Sequence, residues 1–139
     1  MKKIMVLMVC ALVSAPCAWA GKISLAVDGE KLAFNKKEFS VKAGEDVEIE
    51  FKNPSKSMQH NLVIAKPGTI EKVVMDSMSA GAENGWVSKG PEVLFKTAMV
   101  DPTKSVTLKF KAPAEKGDYP FVCTFPGHGS VMRGIMKVK

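Results

Sequence analysis

Val47, Ile49 and Phe51 alternate with Glu48, Glu50 and Lys52. Val106, Leu108 and Phe110 repeat the pattern against Thr107, Lys109 and Lys111. A period of two with charged alternates buries one face of a strand and leaves the other in water. Shorter versions mark Ile23, Leu25 and Val27, and Phe39 with Val41. Apolar runs at Asn61 to Ala65, Val93 to Thr97, Tyr119 to Cys123 and Gly134 to Val138 bring the set to about eight strands. Turn signals separate them at Asp28-Gly29, Ala43-Gly44, Asn53-Pro54, Pro67-Gly68, Asp101-Pro102 and Lys116-Gly117. Short strands with such punctuation predict an all-β sandwich of two packed sheets.

One stretch breaks the rhythm. In Thr69 to Met78, the residues Ile70, Val73, Val74 and Met78 share a helical face. Thr69 is the N-cap candidate, with Lys72 where a capping box would carry Glu. The pattern predicts a short helix in a flap inserted into the sandwich. A Gly-rich loop follows through Gly85, and Trp86 is expected to cover part of the flap. At least one of Met75 and Met78 is expected to pack inside.

The N-terminus reads differently. Lys2 and Lys3 precede a run of apolar character from Ile4 to Ala15, and Ala18-Trp19-Ala20 has the small-x-small form of a cleavage site. Residues 1–20 are therefore expected to be a secretory signal peptide, too short for a membrane span. Pro16 and Ala15 before Cys17 make a poor lipobox. The expected mature domain, 21–139, is long enough for one core, burying about two-thirds of its unfolded surface. No second apolar span follows, so stable membrane insertion is not expected.

Cleavage also changes the chemistry. The chain holds 3 cysteines, and Cys10 and Cys17 leave with the leader. Cys123 then has no disulfide partner in an oxidising compartment, and metal ligation would protect its thiolate. The net charge falls from +6 to +4 as Lys2 and Lys3 are lost. The remaining lysines are scattered, with no arginine cluster or aromatic-interleaved basic run, which argues against nucleic acid as a partner. No phosphate-binding glycine loop occurs either.

The candidate chemistry lies around Cys123. The string Cys123-Thr124-Phe125-Pro126-Gly127-His128, continuing to Met132, places a thiolate, an imidazole and a thioether on one loop. His60 is the other of the chain's 2 histidines. A soft thiolate with two imidazoles suits copper, and a weak methionine makes the set fit for electron transfer. Three other readings use the same residues. A copper carrier or buffer would favour exposed ligands without an enclosed thiolate. A small copper enzyme would need an open coordination position and nearby acid/base groups. A structural zinc site takes Cys and His but has little use for Met.

Met58-Gln59-His60-Asn61, together with the Cys123 to Met132 loop, resembles the azurin family of blue copper proteins with the cupredoxin fold. The resemblance spans nearly all of residues 21–139. It implies a Greek-key cupredoxin (azurin-like, plastocyanin-like) domain with one type 1 copper. His60, Cys123 and His128 would be equatorial ligands and Met132 the weak axial one. The backbone carbonyl of Gln59 would approach opposite Met132, where the family has Gly. Backbone N–H groups of Asn61 and Phe125 would donate to the Cys123 sulfur, and the Asn61 side chain would tie the two ligand-bearing segments together. Met58, Phe125 and Pro126 would form an apolar patch around an exposed edge of His128, through which electrons pass. The implied function is that of a periplasmic, monomeric electron carrier and not an enzyme. Its partners would be redox proteins such as c-type cytochromes or copper or haem reductases and oxidases. The family's disulfide has no counterpart in residues 21–139.

Overall fold

The computed structural model describes residues 21–139; the expected leader at 1–20 lies outside the described residues. Eight strands appear in chain order: β1 Gly21–Ala26, β2 Glu38–Val41, β3 Asp46–Lys52, β4 Val63–Ala65, β5 Val93–Lys96, β6 Ser105–Lys111, β7 Gly117–Val122 and β8 Arg133–Val138. They form two sheets, ordered β1-β3-β6 and β2-β8-β7-β4-β5. The chain passes between the sheets as it moves from β1 to β4 and again on either side of β6, which gives a Greek-key sandwich. Both sheets are mixed: β1 runs parallel to β3, and β2 parallel to β8.

The alternating segments behave as their pattern predicts. In β3, Val47, Ile49 and Phe51 are fully buried while their polar neighbours face outward. Each large apolar side chain removed from water contributes about 1.5–3 kcal/mol, and these interlock with Leu25, Phe110 and Met136. Phe121 sits at the centre, edge-on to Phe34 at 5.1 Å and stacked on Phe39 at 5.3 Å. The outward residues pair across strands, as Lys22 and Lys109 do with Glu48, and Lys111 with Asp46. Exposed pairs of this kind add little stability; they keep the outer face in water.

The helix α1, Ile70–Ala80, lies between β4 and β5. Thr69 does not cap it with its side chain; its hydroxyl donates to the Lys66 carbonyl at 2.9 Å instead. Val73 and Ser77 are buried, and Ser77 accepts the Ser88 N–H at 3.0 Å. This corrects one expectation. Met75 and Met78 are both exposed, at 68% and 54%, because the small Ser77 lets the following segment pack where a methionine was expected. Trp86 is partly buried, and its N–H closes the turn after α1 on the Gly81 carbonyl at 3.0 Å.

The strand expected from Asn61 is shorter than its apolar run. Regular pairing begins at Val63. Leu62 exchanges bonds with Thr97, through the threonine hydroxyl at 3.0 Å and the Thr97 N–H at 2.9 Å. His60 forms an isolated bridge with Val100. Side-chain bonding thus displaces the regular ladder just where a ligand must be aimed.

Candidate metal centre

Cys123 follows β7 directly, and Met132 precedes β8. The Cys123 N–H donates to the Met132 carbonyl at 3.1 Å and closes the mouth of the loop. Inside it, His128 N–H bonds the Phe125 carbonyl at 3.0 Å, and Met132 N–H bonds the His128 carbonyl at 2.9 Å. Gly127 takes φ 81°, a left-handed conformation that glycine adopts freely. Three candidate donors are thus carried on one tight, locally bonded turn.

His60 arrives from a separate segment held from several sides. The Asn53 amide is 1% exposed. It donates to the carbonyls of Met58 at 2.8 Å and Val100 at 2.9 Å, and accepts from Ser55 N–H at 3.2 Å. His60 and Val100 exchange two backbone bonds, at 3.2 and 2.8 Å. Glu30 reaches in from the first loop and accepts from the Lys56 N–H and the hydroxyls of Ser55 and Ser57. Two reciprocal bonds of 2.8 Å then join the segments, Asn61 Nδ2 to Thr124 Oγ1 and Thr124 N–H to Asn61 Oδ1.

The two segments bring His60, Cys123 and His128 together, all buried. Cys123 Sγ lies 3.7 Å from His60 Nδ1 and 3.6 Å from His128 Nδ1. The two imidazole centroids are 4.9 Å apart. A first-row ion about 2.3 Å from sulfur and about 2.0–2.1 Å from each nitrogen, at roughly 120°, sets sulfur–nitrogen separations near 3.7 Å. The spacing therefore fits one ion between all three. Met132 is fully buried at the end of the same loop.

Burial sets the protonation. It pushes the Cys123 thiol up, while N–H groups of Asn61 and Phe125 bonded to the sulfur pull it partly back. His60 is pushed down to about 4, first by burial and then by nearby His128. Burial also lowers His128. Both imidazoles are thus neutral at pH 7 and offer lone pairs, and a binding metal displaces the thiol proton. His60 Nε2 is buried without a hydrogen-bond partner among the described residues.

Met58, Phe125 and Pro126 are half-buried near this end. The Phe125 ring is centred 4.8 Å from that of His128. His128 itself is only 4% exposed, so the edge expected to be open is narrow, while Val131 is 54% exposed. Gln59 is exposed, and its amide donates to Asp101 at 2.6 Å. Nothing in the sequence marks Asn53, Glu30, Thr97 or Asp101 as supports of this site. Asn53 and Asp101 stood out only as turn residues before proline.

Comparison with known proteins fits this geometry. The family described as copper binding proteins, plastocyanin/azurin family, matches residues 21–139. Auracyanin-A of Chloroflexus aurantiacus is 36% identical over 119 residues, covering 84% of this chain and 73% of that protein. Azurin-1 of Alcaligenes xylosoxydans xylosoxydans is 34% identical over 115 residues, covering 77% of this chain and 89% of the relative. The crystal structure of dithionite-reduced auracyanin from Roseiflexus castenholzii superposes with a TM-score of 0.80 at 39% identity, over 86% of this chain and 98% of that one. His60, Cys123, His128 and Met132 are arranged as a type 1 copper site.

Proposed function

The chain belongs to the plastocyanin/azurin family of copper-binding proteins, and on that premise we propose that it is an exported blue copper carrier of single electrons. The observation that carries this reading is the buried Cys123 sulfur with an imidazole Nδ1 at 3.7 Å and another at 3.6 Å. Copper supplies the one-electron chemistry, cycling between Cu(I) and Cu(II). His60, Cys123 and His128 would hold the copper, with Met132 and the Gln59 carbonyl as weaker donors. A soft thiolate with two imidazoles and a thioether would suit both oxidation states.

The chain's own residues keep that arrangement fixed. Asn61 and Thr124 lock the two ligand segments together, and the N–H groups of Asn61 and Phe125 draw charge from the thiolate. Such outer contacts orient ligands and tune a metal's potential. Met58, Phe125, Pro126 and His128 form the electron-transfer patch, and a small apolar surface suits brief encounters. The partners are redox proteins such as c-type cytochromes or copper or haem reductases and oxidases. The carrier works as a monomer in the periplasm after loss of residues 1–20, and it is not an enzyme. Among the described residues no helix is long and apolar enough to cross a membrane. Enclosure of the sulfur disfavours the copper-buffer reading, which calls for accessible ligands.

The test is a visible spectrum of residues 21–139 titrated with Cu(II), beside Cys123→Ser. An intense blue band saturating at one copper per chain, and absent from the variant, is the expected result. Bound Cu(II) without that band removes Cys123 from the ligand set and favours the buffer.

A further inference from the structure

The side chain of Gln59, the residue before His60, is engaged. The Gln59 amide donates to the Asp101 carboxylate at 2.6 Å. One residue later in the first segment and one earlier in the second, His60 N–H donates to the Val100 carbonyl at 3.2 Å and Val100 N–H to the His60 carbonyl at 2.8 Å. Two successive residues of one segment are thus tied to two successive residues of the other. The peptide between Gln59 and His60 carries the His60 N–H at one end and the Gln59 carbonyl at the other. A trans peptide is planar, so its N–H and C=O point in opposite directions. With the N–H held on Val100, the Gln59 carbonyl points away from Val100. The carbonyls on either side are taken, Met58 by Asn53 and His60 by Val100. Among the described residues, the Gln59 carbonyl accepts no hydrogen bond.

We propose that Asp101 is a positioning residue for the metal centre: through the Gln59 side chain it holds the 59–60 peptide, and so fixes how the Gln59 carbonyl meets the metal. The His60 N–H bond is long and by itself leaves the plane free to rock. The Gln59–Asp101 bond pins the preceding residue and restrains that motion. This rests on the copper reading above, with the Gln59 carbonyl as a weak ligand. A carbonyl oxygen is a hard donor, so its placement affects Zn(II) more than Cu(I).

The test compares Asp101→Ala with Asp101→Asn. Both remove one negative charge, but only the alanine removes the acceptor for Gln59. Zn(II) and Cu(I) affinities are measured by competition with chelators. Wild type is also titrated with Cu(II) and its visible spectrum recorded. The expected result is that Asp101→Ala binds Zn(II) about tenfold more weakly than Asp101→Asn, the scale at which ligand-supporting contacts act. Cu(I) affinity should stay within about twofold, since a soft ion gains little from a carbonyl. Gln59→Ala, which keeps the backbone carbonyl, should match Asp101→Ala. In the metal-free protein both alanine variants should exchange the His60 amide hydrogen faster than Asp101→Asn does. Equal Zn(II) affinity in the two Asp101 variants, or an equal loss of Cu(I) affinity, overturns the proposal and leaves the copper reading standing. A wild type that gives no thiolate–copper band overturns both.

Discussion

The two segments that meet at the metal centre are built on opposite plans. The Cys123–Met132 turn carries three candidate donors and is closed on itself by bonds between residues at most nine apart, such as Cys123 N–H to the Met132 carbonyl, with the Asn61–Thr124 pair as its tie to the other segment. The segment from Asn53 to His60 carries one donor and is held from afar. Glu30 lies 25 residues from Ser55, and Asn53 lies 47 residues from Val100. A local turn can form its shape early, at low cost in loop-closure entropy. A long-range brace forms only when the sandwich is already assembled. The site is thus a preformed thiolate loop completed by a histidine that the whole fold delivers.

The sharpest way to break that contrast is Asn53→Ala. It strips the donors from the Met58 and Val100 carbonyls and the acceptor from Ser55 N–H. The Val100 carbonyl keeps the His60 N–H, and the Met58 carbonyl and Ser55 N–H left unpaired cost about 1–3 kcal/mol each before relaxation. We expect a loss of about 2–4 kcal/mol in urea unfolding of the metal-free protein, with partial recovery as water enters. A loss below about 0.5 kcal/mol, the range of ordinary surface changes, would show that the His60 segment stands without its brace.

The matching probe of the local loop is Gly129→Ala. A Cβ there would lie 2.8 and 2.9 Å from the two Val74 methyls on α1. Overpacking of this kind costs about 1–3 kcal/mol. Because the loop leans on the helix here, Val74→Ala in the same chain should restore much of the loss. Additive losses in the double variant would mean that the strain lies within the loop itself.

The contrast also explains what could be read in advance. β1, β2, β3 and β6 announced themselves because a half-buried strand must alternate, the other four as short apolar stretches between turn signals, and α1 because its apolar positions fell on a helical face. The Cys123 loop was legible because its donors are neighbours in the chain, so spacing carries geometry. His60 was found only because few imidazoles exist to choose from. What holds it was not legible. Asn53 and Asp101 look like ordinary turn residues, and nothing local says that one donates to Val100 or that the other receives Gln59. The two methionines of α1 misled for the same reason, since whether they pack depends on the segment around Ser88, which covers Ser77.

Glu30 offers a gentler probe of the distant brace. Its carboxylate is held below the ordinary value of 4.5, first by the Lys56 N–H and then by the hydroxyls of Ser57 and Ser55. A carboxyl depressed in the folded state binds its proton more weakly there than in the unfolded chain. Its contribution is therefore complete above pH 4.5 and fades as pH falls through the lower folded value. Glu30→Gln should lower the melting temperature at pH 7, and the gap from wild type should shrink as pH drops below 4.5. A gap that is constant from pH 7 to 3 would show that the carboxylate charge plays no part in holding residues 55–57.

The smallest expected effect concerns covalent bracing. The resembling family ties its N-terminal region to a later strand by a disulfide, and residues 21–139 contain Cys123 alone, buried and free. The core, with Leu25, Ile49, Phe51 and Phe121 fully enclosed, must hold the sandwich without a cross-link. Metal-free protein should melt within about 1 °C with and without reductant. This is a discriminating outcome, because a native disulfide contributes about 2–5 kcal/mol. A domain of this size loses several degrees for that much stability. A clear shift would mean that Cys123 leaves its buried position to pair between molecules, and the loop would then be less fixed than its internal bonds imply.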